Sequence, residues 1–179
     1  MSKLNKHALI LGSLMLVFSL LFLTGGSLTL AEENDFEELT TLSCKVEGTM
    51  EGDPAEFWYR IKDIGTEDEA FRLDATNLES EMTMGIIVNE EDDSSYYKEL
   101  GAGSWMPVPL SMIRPYWEMY REEHITAIGG ADDWRRWAES DQEEFFIEGE
   151  EDGKEYTVKV YDIKIDKPIE DSVFTPDSF

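Results

Sequence analysis

Residues able to carry out covalent catalysis are scarce in this chain of 179 residues. The stretch Gly101-Ala102-Gly103-Ser104-Trp105 is rich in glycine, but it lacks the Gly-x-Ser-x-Gly spacing of a nucleophilic serine and precedes no helix pattern. His124 is the only histidine after Ala31, no spacing assigns it a nucleophile, and its position is typical of a cation in the last turn of a helix. With 40 acidic residues, a carboxylate pair for glycoside hydrolysis stays an alternative that no spacing selects. We therefore predict no catalytic residues and no enzyme activity.

Metal binding is the second chemistry to consider. The acidic turns Asn89–Asp93 and Glu148–Asp152 could offer oxygen ligands to calcium, but neither has the residue order of an EF-hand loop, which favours solvated turns. One cysteine and two histidines argue against a His/Cys metal site and against a disulfide scaffold. Cys44 alternates with Leu42 and Val46, which predicts a buried small side chain. We expect no metal and no cofactor.

Aromatic and sulfur-containing side chains point instead to non-covalent binding. Arg135 and Arg136 lie between Trp134 and Trp137, where they could pair with an anionic headgroup while the indoles cover a cavity mouth. The alternative interpretation is that these arginines neutralise the acidic residues beside them on the same helix. The chain has eight methionines, whose soft side chains suit either a core or a cavity for flexible acyl chains.

The charge of the chain excludes several classes of partner. The 15 basic and 40 acidic residues give a net charge of −25. All the acids follow Ala31, so the residues after it carry a net charge of −27. Such a chain repels phosphate, which excludes nucleic acid and argues against direct binding to an anionic membrane surface. This acid excess resembles that of proteins adapted to high salt, where screening removes self-repulsion. The 41% of apolar residues still suffices for a core.

The first 31 residues have the composition of an export signal. Lys3, Lys6 and His7 precede an apolar run from Ala8 to Leu23, and small residues follow it. This order predicts a secretory signal cleaved after Ala31, with an uncleaved membrane anchor as the alternative. Both predict an extracytoplasmic protein, with residues 32–179 as one domain. Glu32–Leu39 is expected to form two helical turns leading into that domain.

Alternation of apolar and polar residues predicts a series of β-strands after Leu39. The apolar positions of the five clearest strands are Leu42, Cys44, Val46 and Met50; Phe57, Tyr59 and Ile61; Phe71, Leu73 and Ala75; Met82, Met84, Ile86 and Val88; and Tyr96, Tyr97 and Leu100. Trp105-Met106 is a candidate sixth strand. The connections are too short for crossover helices, so the strands must be mostly antiparallel.

A helical pattern interrupts the strands between Ser111 and Glu139. Ile113, Tyr116, Trp117 and Tyr120 share one face of a helix predicted from Ser111 to about His124, with Pro115 near its first turn. A short helix, Trp134–Glu139, is predicted to follow, with Asp132 and Asp133 as its caps.

Strand pattern then returns, and Phe145 and Ile147 are predicted to face Tyr156, Val158 and Val160 across an Asp152-Gly153 turn. After Val160 the apolar phase switches to Tyr161 and Ile163, which indicates a β-bulge. The fold class predicted from these elements is mainly β (α+β): a curved antiparallel sheet or half-open barrel with a helical plug on its apolar face. The space between sheet and plug is either filled or an apolar cavity.

Three segments together resemble the outer-membrane lipoprotein-sorting family, the LolA-like proteins and their LppX-like relatives. They are Phe57–Lys62 with Phe71–Asp74, Ser95–Tyr97 through Trp105–Pro107, and Val160–Ile165 with the tail Lys167–Pro176. The resemblance implies a half-open barrel closed by helices, whose interior holds acyl chains, and it relates Arg72 to the family's lid arginine. The chain departs from the family in its short N-terminal helix and in having no lipid-modified cysteine after the signal.

The function expected from the sequence is an exported, non-enzymatic carrier of lipid or of an acylated protein. The alternatives are a solid-cored structural or interaction module of a cell-surface complex, and a secreted hydrolase. The expected ligand-binding residues are Trp58, Arg72, Met82, Met84, Ile86, Tyr116, Trp117, Tyr120, Trp134 and Trp137.

Overall fold

The computed structural model describes residues 35–50, 53–151 and 154–176. The predicted export signal, the residues just after it and the Asp152-Gly153 turn lie outside this part of the chain. No helix within the described ranges is long and apolar enough to cross a membrane.

Eight strands form one antiparallel sheet, in the order β6-β5-β4-β3-β2-β1-β8-β7. The strands are β1 (Thr41–Met50), β2 (Asp53–Lys62), β3 (Ala70–Asn77), β4 (Thr83–Asn89), β5 (Ser94–Lys98), β6 (Met106–Pro107), β7 (Glu144–Glu151) and β8 (Lys154–Ile165). The first six strands follow the chain order as a meander, because their short connections allow each strand to pair only with its neighbour. The predicted mainly-β class and the antiparallel arrangement are therefore confirmed.

The last hairpin has the predicted register. Phe145 lies opposite Val160, and Ile147 lies opposite Val158, so these side chains share one face of the sheet. Pairing with β1 then places β8 inside the sheet and leaves β7 at its edge.

The bulge predicted in β8 is present. Ser43 pairs with Lys164 and Lys45 pairs with Tyr161, so two residues of β8 oppose Cys44 alone. Asp162 occupies the bulge with φ +49°, in the left-handed region that aspartate enters more readily than most residues. The bulge explains why the apolar phase of β8 changes after Val160.

The helical layer begins with α1 (Leu110–Met119), one residue before the predicted start. Pro115 therefore lies in its second turn, where its missing N–H removes one bond, to the carbonyl of Ser111. The helix was predicted to continue to about His124. Beyond Met119 the chain instead forms a π-helix over Tyr120–Ile125, followed by one short helical turn, Thr126–Ile128.

The second helix, α2 (Ala131–Ala138), is longer than predicted, and its capping differs. Gly130 is the N-cap, and its N–H donates to the Asp133 side chain at 3.4 Å. Asp132 and Asp133 lie inside the first turn, where the positive end of the helix dipole stabilises their negative charge, so neither is the N-cap, although Asp133 takes part in capping by accepting the N–H of Gly130. The acidic segment before β1 is a single 3₁₀ turn, Asp35–Glu38, where two helical turns were expected.

Apolar side chains cover both faces of the curved sheet, but unequally. The helices and the 3₁₀ turn pack on one face, here called the concave face, and enclose the main core. The opposite, convex face has a small second cluster, made by Ala70, Ile87, Trp105 and Phe174. The C-terminal 3₁₀ turn (Asp171–Phe174) brings Phe174 to this cluster, so the sheet is not apolar on one face alone as expected.

Candidate functional site

The structure brings most of the predicted ligand-binding residues together on the concave face. Seven of the ten belong to the main core or pack against it: Met84, Ile86, Tyr116, Trp117, Tyr120, Trp134 and Trp137. They come from β4, α1, the π-helical segment and α2. The other three, Trp58, Arg72 and Met82, lie elsewhere.

The space between the sheet and the helical layer is filled where these residues meet. The ring of Trp117 stacks on Phe71 of β3 with a centroid distance of 3.9 Å. Tyr120, Trp134 and Ile86 have 0% exposure. A side chain bordering an acyl-sized void would keep surface that a water molecule could touch, so these three residues border no such void.

A buried carboxylate fixes the helical layer to the β2–β3 connection. Glu69 is 4% exposed and accepts a hydrogen bond from the N–H of Gly65 at 2.8 Å. Arg121 of the π-helical segment lies 3.3 Å from its Oε2. Burial raises the pKa of Glu69 above its ordinary value, and the contacts with Gly65 and Arg121 only partly oppose this effect.

Trp58 lies on the convex face, opposite the helices. It is 36% exposed, one of the few large apolar side chains at the surface of the described chain. The guanidinium carbon of Arg60 lies 3.9 Å from its ring centroid, and Lys45 Nζ lies 5.5 Å away on the neighbouring strand. The indole N–H donates to Ser43 Oγ at 3.3 Å. Trp58 is thus an anchored aromatic platform between two cations.

Arg72 also lies on the convex face, next to this platform. Its Nε donates to Asp74 Oδ2 at 2.8 Å, and its Nη1 donates to the carbonyl of Val173 at 3.0 Å. Arg60 pairs with the same Asp74 carboxylate. Arg72 therefore fixes the C-terminal segment to the sheet and does not face the helical layer, where the resemblance would place a lid arginine.

The convex face carries a row of ion pairs around Trp58. Lys45 pairs with Glu56 at 3.1 Å, and Lys159 pairs with Glu47 at 2.6 Å. Tyr161 donates to Glu56. Although burial acts in the opposite direction, these bonds from Tyr161 and Lys45 hold the pKa of Glu56 below its ordinary value. In a chain of net charge −25, this face is a region where the charges are locally balanced.

Met82 and the two arginines of α2 contact other residues of the chain. Met82 precedes β4, is 43% exposed and lies over Gly101. Arg135 donates to Glu38 at 3.1 Å, and Arg136 donates to Asp133 at 2.5 Å. The neutralising role predicted for these arginines is therefore present, and it extends to the 3₁₀ turn before β1.

A groove of about 410 Å³ opens beside the start of β7. Its aromatic lining residues include Trp137 and Phe145, whose rings lie 5.6 Å apart. Its acidic lining residues are Asp141, Glu143, Glu144 and Asp162. No sequence pattern singled out this groove, because it forms only where β8 lies beside the end of α2 and the start of β7.

Within the described ranges, no group of three or more His, Cys, Asp or Glu residues is arranged to hold a metal ion. The Cys44 thiol is fully buried, and this burial raises its pKa, so it is not a reactive thiolate.

The convex-face residues could have been found from the sequence. Trp58 alternates with Phe57 and Tyr59, and Arg72 alternates with Phe71 and Leu73, which were predicted to face the core. The period of two therefore places Trp58 and Arg72 on the other face.

Comparison with family models, curated proteins and solved structures finds no match for this chain.

Proposed function

We propose that this chain is a non-enzymatic, exported interaction module that recognises a partner protein through its convex face around Trp58. The observation that carries this proposal is the contrast between the two faces. Of the aromatic residues expected to line a cavity, Tyr120 and Trp134 are packed to zero exposure and Trp117 is buried, whereas Trp58 is exposed between Arg60 and Lys45. Tryptophan and arginine are enriched among the residues that dominate protein interfaces.

The charge distribution supports the same surface. A partner that approaches most of this domain meets uncompensated carboxylates, but on the convex face each glutamate of the row is paired with a lysine. Burying such a surface removes less unpaired charge from water than burying an acidic one. A partner with an apolar pocket rimmed by polar groups fits Trp58.

Substitution of Trp58 tests this proposal. Trp58→Ala should weaken binding to the physiological partner by about 2 kcal/mol or more, as expected for a central interface tryptophan. Its effect on the free energy of unfolding should be about 1 kcal/mol, because the side chain is partly exposed. Leu78→Ala, at another large apolar residue exposed at the surface, is the control. Equal binding by the Trp58 variant and the unaltered protein would reject this surface.

A second candidate function is the acyl-chain carrier that the family resemblance implies. One observation favours it: the indole N–H of Trp134 is buried in the main core without an acceptor in the described part of the chain. Such groups are rare and call for an explanation, which a polar ligand group entering beneath α2 would provide. Binding would require the helical layer to move away from the sheet, since the core is filled.

Native mass spectrometry of the purified protein separates the two candidates. The interaction module predicts the mass of the chain alone and no saturable uptake of a fluorescent fatty acid. Co-purifying lipid, or uptake at one molecule per chain, would instead establish the carrier.

A further inference from the structure

Strand β7 leaves a long edge of the sheet without a partner strand. Within the described ranges, β7 pairs with β8 alone and is the terminal strand of the sheet. It is eight residues long, whereas β6 at the opposite edge has only two. Exposed N–H and C=O groups along such an edge are a template for another extended chain.

The side chains of β7 combine a large exposed apolar group with negative charge. Phe146 is 61% exposed on the same face as Glu144 and Glu148. Four of the eight residues of β7 are glutamate. Pairing of two β7 strands from different copies would place glutamates against glutamates, which disfavours a second copy of this chain as the occupant. Charged residues do protect edge strands from self-pairing, but that role does not account for the exposed phenylalanine.

The groove of about 410 Å³ continues this edge at the start of β7. It places four carboxylates beside the rings of Trp137 and Phe145. Lys159 pairs with Glu144 at 3.4 Å, and Lys164 pairs with Asp162 at 2.8 Å. Asp141 and Glu143 form no ion pair within the described part of the chain, so the groove retains negative charge beside aromatic faces.

We propose that β7 and this groove bind an extended segment of a partner protein in which lysine or arginine alternates with apolar residues. The segment adds a ninth strand to the sheet through backbone hydrogen bonds, and its apolar side chains cover Phe146. One of its cations enters the groove, where the carboxylates and the ring of Trp137 stabilise it. This site is separate from the Trp58 surface and goes beyond the function proposed above.

Electrostatic attraction alone makes a different prediction from strand addition. A domain of this charge attracts any basic peptide, but that attraction is screened by salt, depends on net charge and needs no backbone donors. Strand addition requires the amides of the peptide and the particular carboxylates of the groove. An experiment that varies salt, net charge and peptide amides independently therefore decides between them.

The probe is a fluorescent peptide of about ten residues in which lysine and valine alternate, a length that matches one strand. Binding to the purified protein is measured by fluorescence anisotropy in about 1 M KCl, where the Debye length is only about 3 Å. We expect saturable binding at one peptide per chain. A peptide with the same sequence, N-methylated at alternate amides, should not bind, because it retains the charge but loses backbone donors on one edge.

Matched charge reversals locate the site. The double variant Asp141→Lys/Glu143→Lys should weaken peptide binding about tenfold or more, because it reverses charge inside the groove. The control Glu67→Lys/Glu91→Lys changes the net charge equally at exposed positions in the turns before β3 and β5 and should change binding less than about threefold. Circular dichroism verifies that both proteins are folded.

Absence of saturable binding would overturn the proposal, as would equal binding of the N-methylated peptide or equal weakening by both double variants. Trp58→Ala should leave peptide binding unchanged. This control separates a failure at the β7 edge from a failure of the proposed convex-face function.

Discussion

At the scale of single residues, a buried carboxylate, Glu69, and an exposed one, Asp166, have pKa values shifted in opposite directions. Glu69 is enclosed between the β2–β3 connection and the helical layer, whereas Asp166 is held near the surface by Thr40, whose N–H donates to it at 2.8 Å. The bond from Thr40 lowers the pKa of Asp166, while burial raises that of Glu69. The two groups therefore make stability depend on pH in opposite directions.

Glu69→Gln provides a residue-scale prediction. A carboxyl whose pKa is raised in the folded state contributes stability that is present below its ordinary pKa of 4.5 and is lost as pH rises through the raised value. The unaltered protein should thus lose stability relative to the variant between about pH 4 and pH 8. Urea denaturation at both pH values measures the difference, with Glu67→Gln as the control for loss of one exposed charge. A difference that is constant with pH, or that moves the other way, would contradict the assignment.

At the scale of elements, the convex side of β4 depends on the absence of a side chain at Gly85. A Cβ there would lie 2.4 Å from Cη2 of Trp105 and 3.2 Å from Asp74 Oδ1. The indole of Trp105 therefore packs directly against the β4 backbone and beside Arg72, whose guanidinium carbon is 5.2 Å from the ring centroid. This packing holds the loop between β5 and β6 against the sheet.

Gly85→Ala should lower the free energy of unfolding by about 1–3 kcal/mol, because the ring of Trp105 must move. The chain offers a matched control in Gly103→Ala, where a Cβ would meet nothing within 4 Å. Chemical denaturation of the two variants measures the contrast, and Trp105→Phe in the Gly85→Ala background should recover part of the loss. Equal stability of both alanine variants would show that Trp105 does not rest on β4.

At the scale of the whole molecule, negative charge opposes compaction. The chain holds 40 acidic and 15 basic residues, and many of the acids lie in exposed turns. Ion pairs on the convex face neutralise only part of this charge. Self-repulsion of the remainder raises the free energy of the folded state relative to the expanded one, and salt screens it.

We expect the melting temperature to rise markedly between about 0.1 M and 2 M KCl. A variant in which the exposed Glu67, Glu79, Glu91 and Glu99 become glutamine should be more stable in dilute buffer and gain less from salt. Differential scanning calorimetry measures both effects. A melting temperature that does not depend on salt would show that self-repulsion is not a large term in stability.

The elements could be predicted from the sequence because their signals are local. Alternation locates the strands, and the helical period locates α1 within one residue of its start. The capping of α2 by Gly130 could not be predicted in this way. Gly130 and the nearby aspartates are both possible N-cap residues, and packing decides which of them begins the helix. The groove beside β7 could not be predicted either, because it forms only where β8 comes to lie beside the end of α2 and the start of β7.

The candidate site, too, could be predicted from the sequence only in part. The sequence by itself determined which side chains are aromatic, cationic or acidic, and through the period of two it determined that Trp58 and Arg72 share the face opposite Phe57 and Phe71. Only the tertiary structure decided that the helical layer fills the concave face, that the C-terminal turn covers part of the convex face, and that β7 ends the sheet. The physical reason is that alternation is a property of neighbouring residues, whereas filling, covering and edge position depend on contacts between segments far apart in the chain.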